Sequence, residues 1–249
     1  GDFNNATFVY EGITTTFFRK GDDYWVKTDN GNGELQDYPV AYVFGVYPLQ
    51  QVLLPTANDR LNALSVAWDA RKVSEGGQRW YHIYENQEPV TSESPLHWTG
   101  VYHNWNSRCA ECHSTNVVKG YDGARRQYTT TYEQIDVGCE ACHGPGSGHV
   151  ELATSGSIDR GQSPAEMGLA LSLAARGQWH RAPDDDIAQR VTPLTHQTQV
   201  DNCGRCHSRR ATLGDYHYGQ SLLDTHRLST LESPLYWHDG QIRDEVYVY

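Results

Sequence analysis

The chain has 249 residues, room for one large domain or two small ones. It carries 20 basic and 31 acidic side chains, a net charge of −11, which argues against nucleic acid or an anionic membrane as partner and suits docking to a basic protein. No apolar run reaches the roughly 18 residues of a membrane span, and with 38% hydrophobic residues the chain is poor in the aliphatic bulk a core of this size wants.

Residues 1–94 read as a β-rich domain. Ile13 to Arg19, Tyr24 to Thr28, Tyr38 to Val46, Gln50 to Leu54, Leu61 to Trp68 and Arg79 to Tyr84 are β-branched or aromatic runs. Gly21-Asp22-Asp23, Asn30-Gly31-Asn32-Gly33, Asn58-Asp59 and Gly76-Gly77 supply turn chemistry between them. This rhythm predicts an antiparallel meander or small sandwich. His82 reads as a strand residue.

From Pro95 the character changes, and residues 95–249 read as an irregular, partly helical region, making the whole chain α+β. Leu96 to Trp105 is aromatic and His-rich. Trp98, Tyr102 and Trp105 suit either an ordinary aromatic core or the walls of a flat cofactor.

Directly after it comes Cys109-Ala-Glu-Cys112-His113, repeated as Cys139-Glu-Ala-Cys142-His143 and Cys203-Gly-Arg-Cys206-His207. C-x-x-C-H is the attachment signature of c-type haem. Two thiols three residues apart share one side of a helical turn and can bond the two haem vinyl groups. The His lies at i+4 from the first Cys, on the same face, where it can serve as proximal iron ligand. The three copies use all six cysteines. Zinc sites or disulfides do not need a His after every pair. Three covalent haems c are expected, and they would supply the missing apolar bulk, so that the haem-free chain is expected not to fold. Attachment of haem to thiols occurs outside the bacterial cytoplasm, so a periplasmic or extracellular location is expected. The sequence shows no charged-then-apolar leader, so any signal peptide is expected to be already removed.

Of the twelve His, three are proximal, and Met167 is the only methionine. Met/His ligation is therefore not general, which leaves bis-His haems or an open iron. His97 and His103 before the first motif, His149 after the Gly-rich turn that follows the second, and His217 and His226 after the third are the distal candidates. His180, His196 and His238 are weaker ones. Between 150 and 200, Leu169, Leu171 and Leu173 alternate, and a hairpin with Trp179 to Ala182 is expected; a helix start at Ser163-Pro164 is the rival reading. Asp184-Asp185-Asp186 reads as a solvated loop rather than a calcium site. Arg209 and Arg210 fit haem propionates or plain surface charge equally well.

The second motif with Gly144-Pro145-Gly146-Ser147-Gly148-His149 resembles the cytochrome c554-like multihaem family, most closely the bacterial members that carry tetratricopeptide repeats further on. Leu96 to Gly100, Asn104 to Asn106, Cys109 to Thr115, Cys203 to Arg210 and Asp239 to Tyr247 look like that family too. The resemblance implies closely packed bis-His haems, electron transfer and a distal role for His149. Relatives carry a further C-x-x-C-H segment before the position of Gly1 and another beyond Tyr249. Neither is in this sequence, so it is expected to be a processed or partly observed piece, or a trimmed variant.

The expected function is electron transfer through low-spin haems, with redox proteins or further copies of the chain as partners, including assembly into an extracellular filament. The alternative is a multihaem enzyme acting on nitrite or hydroxylamine at an open iron.

Overall fold

The computed structural model describes all residues except 160, 172, 174–176, 185, 195, 230, 232–235 and 242–249. It is α+β, and its chain divides into two compact units: Gly1–Glu111 with Val117–Thr131, and Cys112–Asn116 with Tyr132–Tyr249.

The first unit is built on antiparallel strands. β1 (Ala6–Tyr10), β2 (Ile13–Lys20), β3 (Asp23–Asp29) and β4 (Leu35–Pro39) form one sheet in chain order. A tight turn joins β1 to β2 through Glu11 and Gly12, both at positive φ, the geometry that matches strand twist in a two-residue hairpin. Register aligns Ala6, Phe17, Val26 and Tyr38 across the four strands, so one face presents an apolar row. The second sheet holds β5 (Tyr42–Phe44), β6 (Leu49–Thr56), β7 (Arg60–Ala63), β8 (Val66–Asp69) and β9 (Arg79–His82), in the order β5-β6-β8-β9 with β7 also on β6. Phe17, Val26 and Tyr38 cluster with Val52, Leu54, Leu64, Val66 and Trp80 in one core. Phe17 stacks on Trp80 with ring centroids 3.5 Å apart. Burying each such side chain contributes about 1.5–3 kcal/mol.

Two expected strands are broken. The run from Tyr38 to Val46 is interrupted after Pro39, which has no N–H to continue a ladder. The run from Leu61 to Trp68 parts at Leu64 and Ser65, where the chain leaves one end of β6 and pairs again near the other. β1 was not among the expected strands.

The aromatic segment before the first motif belongs to this unit's core. Trp98 is 2% exposed, meets the Tyr38 ring edge-on at 5.0 Å and donates its indole N–H to Asp29 O. Asn62 of β7, fully buried, donates to the carbonyls of Trp98 and Gly100 at 2.9 and 3.0 Å. Asn106 Oδ1 accepts from Leu61 N at 2.8 Å. The chain that delivers Cys109 is thus bolted to a sheet. α1 (Trp105–Arg108), capped by the Asn104 side chain, leads into α2 (Ala110–His113), and β10 (Tyr121–Asp122) pairs with β11 (Gln127–Tyr128).

The second unit has little regular structure: α3 (Cys139–His143), α4 (Ser147–Thr154), β12 (Trp179–His180), β13 (Gln189–Arg190), α5 (Thr198–His207), β14 (Arg210–Thr212) and β15 (His226–Leu228). Among its described residues, only Leu171, Leu222 and Tyr236 are buried hydrophobics.

Part of the expected hairpin between Leu169–Leu173 and Trp179–Ala182, residues 172 and 174–176, lies outside the described residues. Trp179–His180 pairs with Gln189–Arg190, and the Arg190 guanidinium lies over the Trp179 ring at 5.8 Å. Leu171 is buried outside any strand. Near the rival helix start, Ser163 N–H donates to Glu166 Oε2 at 2.7 Å and Glu166 N–H to Ser163 Oγ at 3.4 Å. That is a reciprocal cap closing one turn rather than a helix. Asp185 of the acidic triplet and Ile242 to Tyr249 lie outside the described residues.

Candidate haem-binding site

Each C-x-x-C-H occupies a helical turn and puts its His at the helix end. Cys109 has helical backbone at the close of α1, and α2 runs on to His113; α3 is the second motif itself; α5 ends with the third. The chain passes from the first unit to the second within the first motif, between Glu111 and Cys112. His113, His143 and His207 are all exposed. No two of the six cysteines are paired as a disulfide. Among the described residues, no three His, Cys, Asp or Glu side chains converge as a metal cage. Burial pushes the Cys109 thiol up to about 11 against the pull of Arg108.

Side chains tie the motif segments of the second unit together. Just past His113, Ser114 Oγ donates to Ile135 O and Thr115 Oγ1 to Asp136 O, both at 2.8 Å, while Thr115 Oγ1 accepts from Gly138 N–H, the residue that opens α3. At its other end, α3 is too short to satisfy its last carbonyls internally. Asn202 of α5 donates to Cys142 O at 2.9 Å, and Arg205 of α5 and the Tyr218 hydroxyl both reach Ala141 O. The helices of the second and third motifs therefore touch directly.

Beside the third motif lies an open cavity of about 560 Å³ lined by Val200, Leu222, Leu223 and Leu228 together with Cys203 and His207. A flat, apolar macrocycle bonded to Cys203 and ligated by His207 fits such a surface. Arg209 and Arg210 directly behind it are buried, so the surface-charge reading of these two does not hold. Arg210 donates to Arg205 O and to Thr212 Oγ1.

The distal candidates differ in readiness. His149, on α4, has its Nδ1 2.7 Å from Met167 O. A carbonyl can only accept, so Nδ1 carries the proton and the Nε2 lone pair is left for a metal, the usual outer-shell arrangement of a ligating His. The approach depends on glycine: a Cβ on Gly168, which has φ +73°, would meet Gly148 C at 2.7 Å. His217 is exposed. His226 is 2% exposed, with Nδ1 2.9 Å from Thr225 Oγ1. His97 is buried in the first unit with both ring nitrogens engaged, Nε2 with Asp29 Oδ2 at 3.1 Å and Nδ1 with Thr99 Oγ1 at 2.8 Å. His103 is buried there as well, with Nε2 3.3 Å from the Tyr84 hydroxyl.

His82 is stacked on Tyr10 at 3.7 Å, and its Nδ1 accepts from Tyr84 N–H. Burial first, and His103 second, push its imidazole down to about 4. The unfolded chain then takes up a proton near pH 6.5 that the folded ring refuses until about pH 4. Stability from this group is complete above pH 6.5 and is lost as pH falls through that window, by about 3 kcal/mol in all. Urea unfolding of wild type and His82→Gln at pH 7 and pH 4.5 checks this. The variant is expected to lose less stability on acidification; an equal loss in both contradicts it.

Residues 67–144 match the family described as Cytochrome c554 and c-prime. The matched stretch takes in the first two motifs and ends at Gly144. No curated protein and no solved structure matches the chain.

Proposed function

We propose, with the cytochrome c554-like family as premise, that this chain is an electron carrier holding three haems c at Cys109–His113, Cys139–His143 and Cys203–His207. The observation that carries the reading is the contrast between the two units. The first has a packed polypeptide core. The second has three buried hydrophobics among its described residues, while Val200, Leu213, Leu223 and Trp237 stand exposed. A chain that leaves so much apolar surface uncovered needs apolar bulk from elsewhere, and the C-x-x-C-H motifs say what it is.

In this reading the six cysteines would hold the haems through thioethers, and His113, His143 and His207 would supply ligands to the iron. His149 is the first distal ligand by virtue of its fixed tautomer, with His217, His226 and His97 as the remaining candidates. Bound haem supplies a one-electron couple. The protein holds neighbouring attachment segments together through Thr115, Asn202 and Arg205, so that electrons can move between them without large rearrangement. A net charge of −11 favours encounter with basic redox partners. Among the described residues no helix is long and apolar enough to cross a membrane, and the periplasm or cell exterior is the proposed location. Strand β5 ends the second sheet with Val43 exposed, an edge on which further copies could build a filament.

Visible and paramagnetic resonance spectra of the oxidised holoprotein test the carrier reading against the nitrite- or hydroxylamine-type enzyme. A carrier is entirely low-spin and leaves added cyanide and nitric oxide unbound. A high-spin fraction that binds them favours the enzyme.

A further inference from the structure

One cation sits between two attachment helices without an ion-pair partner among the described residues. Arg205 lies inside the third motif, between Cys203 and Cys206. Its Nη1 reaches 3.3 Å to Ala141 O, inside the second motif, between Cys139 and Cys142. Its guanidinium stands 4.6 Å from the centre of the Tyr216 ring and 5.1 Å from that of Tyr218. Arg205 belongs to no ion pair within 4.0 Å among the described residues, and its Nε is buried without a hydrogen-bond partner. The acidic side chains of the two helices are occupied elsewhere: Glu140 Oε1 accepts from Gly146 N–H at 2.7 Å and Asp201 Oδ1 from Leu222 N–H at 3.1 Å.

Two aromatic faces hold a cation without cancelling its charge, as a carboxylate would. The field of Arg205 therefore reaches both neighbouring motifs through a partly buried medium, where it is stronger than in water.

We propose that Arg205 is a positioned positive charge shared by the second and third haem sites, raising the reduction potential of both so that electrons collect on this pair. The inference rests on the reading of these motifs as haem sites. The step is a one-electron reduction, Fe(III) + e⁻ → Fe(II), with the electron from a reduced partner protein and no bond made or broken. Each electron added at either site brings one negative charge towards the guanidinium, which stabilises the reduced form.

The test is a potentiometric titration of the holoprotein, followed by visible absorbance with dithionite as reductant, for wild type, Arg205→Gln, Arg205→Met and Arg205→Lys. The haem content of each is first read by mass. In the neutral variants two of the three one-electron steps are expected to fall by roughly tenfold in the reduced-to-oxidised ratio at fixed potential, about 59 mV, with the third unmoved. Lysine keeps the charge but not the planar fork and is expected to restore most of the shift. Either neutral variant suffices if the other does not accumulate. Three attached haems with unmoved potentials, or a uniform shift of all three, overturns the role of Arg205 alone. A wild-type chain without haem overturns the underlying reading as well.

Discussion

A chain with all six cysteines changed to alanine is expected to keep one cooperative β-sheet transition and to lose its second unit. The first unit has what an independent fold needs: two antiparallel sheets, the stacked Phe17–Trp80 pair, and the Asn62 side chain satisfying the carbonyls of Trp98 and Gly100. The second unit has α3, five residues long, and α5, ten residues long. Isolated helices below about 12–15 residues are marginal in water, and Leu171, Leu222 and Tyr236 are too few to repay the ordering of that much chain. Limited proteolysis is the sharpest readout. Cleavage is expected throughout the residues after Tyr132, with a resistant fragment that begins at the N-terminus. Uniform resistance over the whole chain would show that the second unit holds itself together without a cofactor. From composition alone, the haem-free chain as a whole is expected not to fold; the two-unit structure narrows that expectation to the second unit.

His149→Ala is expected to turn one of the three haems from low-spin to high-spin and to open it to cyanide and carbon monoxide, with all three still covalently attached. The Met167 carbonyl accepts from Nδ1 and fixes the ring. Outer-shell partners of this kind typically cost 10–100-fold in metal affinity when lost. A Gly168→Ala variant, whose added methyl meets Gly148 C at 2.7 Å, is therefore expected to raise the high-spin fraction partially, with no ligand deleted. An unchanged low-spin spectrum in His149→Ala would remove His149 from the distal set.

Much of the architecture was readable residue by residue. Alternation in β2 puts Thr15 and Phe17 inward, and the turns at Gly21 and Gly33 were plain. β1, with Ala-Thr-Phe-Val-Tyr ahead of Glu11-Gly12, carries the same signal and could have been found. The break at Pro39 follows from its missing N–H, whereas the parting at Leu64 and Ser65 comes from how β7 and β8 share β6, which is a tertiary choice. Among the described residues Trp179 finds its partner in Arg190, eleven residues further along the chain. Attachment motifs are local in sequence and so are legible. Distal ligands are not: what readies His149 is a carbonyl eighteen residues away, and what engages His97 is Asp29, at the end of β3. Arg205 likewise looks like an ordinary variable position of its motif until Ala141 and the two tyrosines are placed around it.

The most direct measurement is the intact mass of the denatured protein, purified from a host able to attach haem c. Covalent haem survives denaturation, so the expected mass is that of the polypeptide plus three haems, with peptide mapping placing one on each of Cys109–Cys112, Cys139–Cys142 and Cys203–Cys206. A mass equal to the bare polypeptide would contradict it.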